Sequence, residues 1–173
     1  IVVGISEGRS WSIKGTRYGE SLELSQQDTL VLLVNERYNL PENLYIDQDV
    51  FQLASSNMIA PDIRVYSTDD TTPTLRVQFY TQEEKPVYDN MDFNWNYKND
   101  TLRFDNYIKL AGQWRAQRVT LSLYLPENKK VLLPPQTSQY LRNLRDFDWG
   151  VRSRLNKDKI LLIMLDGKLH PLM

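Results

Sequence analysis

The 173-residue chain contains no cysteine. That absence excludes disulfides, Cys-ligated zinc, iron–sulfur clusters and thiol nucleophiles together. Histidine occurs once, as His170 close to the C-terminus. An imidazole metal cage therefore has no set of ligands, and a chain end is a poor place to hold a general base. His170 reads instead as a surface or edge-strand residue. Glycine is scarce, at 7 residues, and no Gly-x-Gly-x-x-Gly or Walker sequence occurs. Backbone cradles for phosphate are not expected. No Gly-x-Ser-x-Gly elbow surrounds Ser10, Ser12, Ser21, Ser25, Ser55 or Ser56. No apolar run approaches the ~20 residues a membrane helix needs. The longest, Ile160 to Leu165, reads as a buried strand. A charge excess is also missing: 21 Lys/Arg stand against 22 Asp/Glu, a net of −1. That argues against a general polyanion binder, nucleic acid included.

What is present is ordinary globular material, 41% hydrophobic and 25% charged. The length fits one domain, and no Gly/Ser-rich or Pro-rich linker divides it. The expectation is a single domain over residues 1–173. The chain opens on Ile1-Val2-Val3-Gly4-Ile5 rather than Met. That start reads either as the tail of a removed membrane or signal segment or as an edge strand. Charge is unevenly placed along the chain. Residues 1–100 hold 8 Lys/Arg and 16 Asp/Glu, a net of −8, and residues 101–173 carry +7. Folding either interleaves the two parts and cancels the field, or leaves an acidic and a basic end, as stacked repeats do.

Alternation of apolar and polar residues dominates. It runs through Leu75-Val77-Phe79, Phe93-Trp95-Tyr97, Leu102-Phe104 and Val119-Leu121-Leu123-Leu125. Successive side chains of a strand point to opposite faces, so each segment predicts a strand with one buried and one wet face. Ile63 and Val65 make a shorter candidate. Leu30 to Val34 and Ile160 to Leu165 are continuous apolar runs that suit strands covered on both faces. Asn99-Asp100 and Asp166-Gly167 suit tight two-residue hairpins, and Pro126-Glu127-Asn128 suits a turn. Pro134-Pro135 ends a strand, because neither residue can donate to a ladder. Helical spacing is best over Ser138 to Trp149, where Tyr140, Leu141, Leu144 and Phe147 share a face and Ser138 is the cap. Asp47 to Met58 is a second helix candidate. Two strings recur: Asp28-Thr29-Leu30 returns as Asp100-Thr101-Leu102, and Leu40-Pro41-Glu42-Asn43 returns as Leu125-Pro126-Glu127-Asn128. They suggest one strand–turn unit used more than once.

Candidate chemistry is thin. The acidic pairs are Asp69-Asp70, Glu83-Glu84, Asp89 with Asp92, and Asp146 with Asp148. A glycosidase needs two carboxylates across a cleft. Most of these pairs sit in turn-like contexts, where Asp bonds the local backbone. No Asp-x-Asp-x-Asp-Gly calcium loop occurs. Arg142, Arg145, Arg152, Arg154, Lys157 and Lys159 form a basic stretch with Phe147 and Trp149. Asp146, Asp148 and Asp158 dilute it, and a solvated face or protein contact fits better than nucleic acid. Tyrosine is abundant, at 10 residues. Outward Tyr66, Tyr80 and Tyr124 either form a binding surface or cover sheet faces in cross-strand pairs. Asn99-Asp100-Thr101 matches a glycosylation acceptor, a motif too short to carry weight. No catalytic, cofactor-binding or metal-binding residue is assigned, no cofactor is expected, and the chain is not expected to be an enzyme.

A family resemblance rests on Pro73-Thr74-Leu75-Arg76-Val77, Asp100-Thr101-Leu102-Arg103-Phe104, the stretch from Trp114 to Asn128, and Asp166-Gly167. The longest is an alternating strand followed by Tyr124-Leu125-Pro126 and a polar turn. It resembles the strand unit of the C-terminal extramembrane domains of phage-shock-protein-C-like membrane proteins of Gram-negative bacteria. It is similar too to toastrack and adhesin-head domains; the match is best over residues 60–135. The resemblance implies a mainly β, solenoid-like domain of stacked short strands with one or two short helices; a β-sandwich is the alternative. It implies an envelope-stress sensor or interaction domain at the cell envelope. The periplasmic side of the inner membrane is expected, the cytoplasmic side being the alternative. Membrane attachment would come only through segments outside this chain. The expected partner is a protein or a second copy. A carbohydrate-binding or two-carboxylate glycan-active module, resting on Trp11, Trp95, Trp114 and Trp149 and on the acidic surplus, is one rival. Homotypic, adhesin-like assembly is another.

Overall fold

The computed structural model describes residues 16–26, 29–38, 58–81, 91–112, 116–143 and 159–172. In chain order its strands are β1 (Thr16–Glu23), β2 (Thr29–Asn35), β3 (Met58–Ile59), β4 (Asp62–Ser67), β5 (Thr74–Thr81), β6 (Met91–Asp92) and β7 (Trp95–Lys98). There follow β8 (Thr101–Asp105), β9 (Ile108–Leu110), β10 (Arg118–Leu125), β11 (Lys130–Leu133), the short helix α1 (Pro135–Ser138), β12 (Ile160–Leu165) and β13 (Lys168–Pro171). Strands take up 62% of the described residues. They form a four-stranded sheet ordered β1-β5-β10-β4, a six-stranded sheet ordered β13-β12-β11-β2-β8-β7, and a small sheet ordered β3-β9-β6.

Register explains why these segments hold together. In the six-stranded sheet β2 runs parallel to both β8 and β11. Leu30, Val131 and Leu162 stand in one row, and Leu32, Leu102 and Tyr97 in another. In the four-stranded sheet Val77, Leu121 and Ile63 form a row, and Leu75, Leu123 and Val65 the next. All these residues but Tyr97 are buried, and Tyr97 packs against them. Burying each such aliphatic side chain contributes roughly 1.5–3 kcal/mol. The inner faces of the two larger sheets share one core. The turn from Pro126 to Lys129 carries the chain from β10 in one sheet to β11 in the other, so it is a crossing between sheets rather than a hairpin. The recurring Thr-Leu pairs open β2 and β8, which are parallel neighbours offset by two residues.

Tight turns fall where the sequence places them. Asn99 and Asp100 both have positive φ, as do Asp166 and Gly167. Two successive left-handed residues are what a two-residue hairpin turn requires, and Asn, Asp and Gly tolerate them. A Cβ on Gly167 would meet Ser67 Oγ at 3.4 Å, and the residue's φ is +74°. Gly167→Ala is therefore expected to cost about 1 kcal/mol, read as a lower urea midpoint of unfolding.

Two expectations are corrected. Helix α1 ends at Ser138, and Tyr140 to Asn143 run extended along β4. Ile63 N–H donates to the Tyr140 carbonyl at 2.8 Å, and Arg142 N–H donates to the Ile63 carbonyl at 2.9 Å. The Asn143 side chain copies a peptide group: it accepts from Val65 N–H at 2.9 Å and donates to the Val65 carbonyl. Satisfying the free edge of β4 outweighs the local helical spacing. The rest of the Ser138–Trp149 candidate lies outside the described residues, as does Asp47–Met58 except Met58, which begins β3. The apolar runs of β2 and β12 are not covered equally on both faces. Leu30 and Leu32, and Ile160, Leu162 and Met164, are buried, whereas their alternates are half-exposed.

Candidate functional site

The outer face of the four-stranded sheet gathers tyrosine and arginine. Tyr66 on β4, Tyr80 on β5 and Tyr124 on β10 all have the parity opposite to the core residues, so all three point to this face. Tyr66 and Tyr124 stand directly across from each other. Their rings stack at 5.3 Å between centroids with 24° between planes. Arg64, Ser122 and Arg76 form the next row. The Arg76 guanidinium carbon lies 5.4 Å from the Tyr124 centroid. Arg118 stands opposite Tyr80 and lies 4.6 Å above its ring. Between the rows sit Gln78, Thr120 and Asp62. The tyrosines are half-buried, and Arg76 and Arg118 are exposed. Stacking on a ring holds a guanidinium in place while leaving its in-plane N–H donors available.

A second polar cluster closes on itself. Arg37 donates from Nη1 to Asp92 Oδ1 at 2.8 Å and to Asp105 Oδ2 at 3.0 Å, and from Nη2 to Asp92 Oδ2 at 3.0 Å. Tyr38 hydroxyl donates to Asp92 Oδ2 at 2.7 Å. Asp105, with a side chain only 3% exposed, also accepts from Asn94 N–H at 2.8 Å and from Asn94 Nδ2 at 3.1 Å. Asn106 ties the same corner to the backbone of Tyr38 through both ends of its amide. The hydrogen bond from Tyr38 and then those from Arg37 hold the Asp92 carboxyl below the usual carboxylate range. Desolvation, helped by Asp92, pushes the Tyr38 hydroxyl up to about 12. Both carboxylates are occupied in fixing loops, and this arrangement is structural.

The other sequence candidates are dispersed. Asp69 and Asp70 lie in the exposed β4–β5 turn, where Thr68 Oγ1 accepts from Asp70 N–H at 3.1 Å. Asp92 meets Arg37 and Tyr38; Asp89 lies outside the described residues, with Glu83, Glu84, Asp146 and Asp148. Of the basic stretch, Arg142 bonds Asp62 at 3.0 Å and Lys159 is exposed; its remaining members lie outside the described residues. Trp95 packs on the core, and Trp11, Trp114 and Trp149 lie outside the described residues. His170 is half-buried on β13, opposite Ile163. Among the described residues no group of three or more His, Asp or Glu side chains is placed to hold a metal ion. Sequence reasoning found the three tyrosines but missed Arg64, Arg76 and Arg118. The signal was there: each shares the strand parity of a tyrosine on its own strand.

The family model for the C-terminal toast-rack domain, described as "ToastRack found in some PspC", matches residues 45–170. No curated protein and no solved structure matches the chain. No helix among the described residues is long and apolar enough to cross a membrane. The parallel stacking of β2 with β8 and β11, and of β4 with β10, agrees with the stacked, solenoid-like β fold of that family. The chain belongs to the toast-rack family of C-terminal domains of PspC-like, membrane-associated envelope proteins.

Proposed function

We propose that this chain is a non-enzymatic sensor and interaction domain of the envelope-stress type, acting by protein–protein contact on the periplasmic side of the inner membrane. The observation that carries the reading is the outer face of the four-stranded sheet, where Tyr66, Tyr80 and Tyr124 are interleaved with Arg64, Arg76 and Arg118. Tyrosine and arginine are the residue types that anchor protein interfaces, because they combine large apolar area with directed hydrogen bonding. The inner face of the same sheet is core, so the rigid scaffold holds these side chains at fixed spacing.

A photo-crosslinking residue placed at Tyr124 in the full-length protein, in cells, tests this. Discrete protein adducts are expected from Tyr124. None are expected from a control at Arg103, an exposed residue of the six-stranded sheet. Absence of protein adducts, with saccharide captured instead, would overturn the reading. So would a catalysed turnover that disappears on changing one polar side chain. Protease added outside spheroplasts is expected to degrade the domain; protection would move it to the cytoplasmic side.

A further inference from the structure

We infer that the outer face of the four-stranded sheet recognises a short acidic segment of a protein partner, its carboxylates held by Arg64, Arg76 and Arg118; this rests on the interaction reading above. The chain uses its arginines in two ways. Arg37 is clamped by Asp92 and Asp105, and Arg142 is bonded to Asp62. On the tyrosine face the pattern differs. Among the described residues no carboxylate lies within ion-pairing distance of Arg76 or Arg118. Arg64 reaches Asp62 only at 3.8 Å, and its Nε is buried with no hydrogen-bond partner. Three guanidiniums are thus positioned, two of them by stacking, and the donors they leave for a ligand are their exposed Nη groups, the Arg64 Nε being buried. A planar fork of N–H groups matches a carboxylate in bidentate fashion.

Spacing narrows the ligand. Arg64 and Arg76 flank Ser122, two strands apart, which sets their Cα atoms ~10 Å from each other. Arg118 lies four residues along β10 from Ser122, ~13 Å in the strand direction. An extended peptide projects alternate side chains to one side every ~7 Å. Acidic residues at alternate positions therefore reach Arg64 and Arg76 through their flexible arms. An aromatic or apolar residue of the same segment lies against the Tyr66–Tyr124 stack. A bilayer or a long polyanion fits less well. It would also meet Glu23, which shares the row of Tyr124, and Asp69 and Asp70 in the turn that begins just beyond β4. Those carboxylates repel an extended anionic surface but leave room for a short segment.

The test titrates the full chain into a short labelled peptide alternating Glu with Tyr, read by fluorescence anisotropy. Saturable binding that weakens with salt is expected. The triple change Arg64→Gln, Arg76→Gln, Arg118→Gln is expected to weaken it at least ~10-fold, while Arg103→Gln leaves it unchanged. Footprinting of the unmodified protein with phenylglyoxal is a second reading that needs no variant: the peptide should protect Arg76 and Arg118. Peptide binding that ignores the triple change, or no protection, overturns the inference. So does equal, arginine-dependent binding of phosphatidylglycerol vesicles or dextran sulfate. Self-association abolished by the triple change would replace the acidic segment with a second copy. If acidic-peptide binding fails while protein adducts at Tyr124 persist, only this inference falls; if the adducts fail too, the interaction reading falls with it.

Discussion

Phe104→Ala is expected to lower the unfolding free energy by about 3–5 kcal/mol, a large part of the roughly 5–15 kcal/mol a domain has available. Phe104 is fully buried in β8, in register with Val34 of β2 on one side and Trp95 of β7 on the other. Its ring meets Tyr140 edge to face, at 5.8 Å and 86°. Tyr140 in turn receives the Ile63 N–H, at the edge of the four-stranded sheet. The ring therefore packs the six-stranded sheet against the segment that seals the other sheet. Truncation leaves a cavity and also loosens that strap. Burial raises the Tyr140 hydroxyl's pKa, and a wetter pocket in the variant would bring it back toward its ordinary value. Arg103→Ala is the control on the same strand. Its side chain is exposed, and the change is expected to stay within ~0.5 kcal/mol. Urea unfolding of both variants decides the matter: equal midpoints would mean Phe104 is not in the core.

Much of this architecture was legible because a half-buried strand writes its geometry into alternate residues. Leu75, Val77 and Phe79, and Val119 to Leu125, need no partner information to be read as strands, and they form β5 and β10. Asn99-Asp100 and Asp166-Gly167 were legible for a different reason: few residues accept a left-handed backbone twice in succession. What alternation does not encode is which strand lies beside which. The turn after Leu125 is readable as a turn between two strands, but not as a crossing between sheets, a choice made by the rows that Val131 completes with Leu30 and Leu162. Tyr140 to Asn143 carry helical spacing. They become an edge cover because Ile63 and Val65 present backbone groups that need partners. For the candidate site, outward Tyr66, Tyr80 and Tyr124 were readable one strand at a time. Their convergence on one face needed the order β5-β10-β4, and so did the meeting of Arg76 with Tyr124. The Arg37–Asp105 bond joins residues 68 positions apart and leaves no local trace.

That bond carries the second large effect: Asp105→Ala is expected to cost about 2–3 kcal/mol. Its carboxylate accepts three hydrogen bonds, from Arg37, from Asn94 N–H and from Asn94 Nδ2. Removing it leaves those donors to find other partners at a buried corner. The cost stays below that of stranding a fully buried ion, because Arg37 is 39% exposed and keeps Asp92. Asp92→Asn is the milder companion, since that side chain is 49% exposed and its ion pair is screened by water. Its value lies in the pH profile. The Asp92 pKa is lowered in the folded state, by Tyr38 first and then Arg37. Its stabilisation is therefore present above the ordinary carboxylate value of ~4 and is lost as pH falls through the folded-state value. Tyr38 has the opposite sign. Its folded value is raised to about 12, so its contribution is complete below ~10 and lost as pH climbs through about 12. Urea midpoints measured across pH should hold a plateau between these limits and fall at both ends. In Asp92→Asn the acid-side fall should be shallower. The alkaline fall should start at the same pH, near ~10, but be smaller and end sooner, because without the carboxylate the folded Tyr38 value lies nearer its ordinary one. An unchanged profile in Asp92→Asn would mean that Arg37, Tyr38 and Asp92 do not meet in solution, and the corner that Asp105 anchors would have to be rebuilt without them.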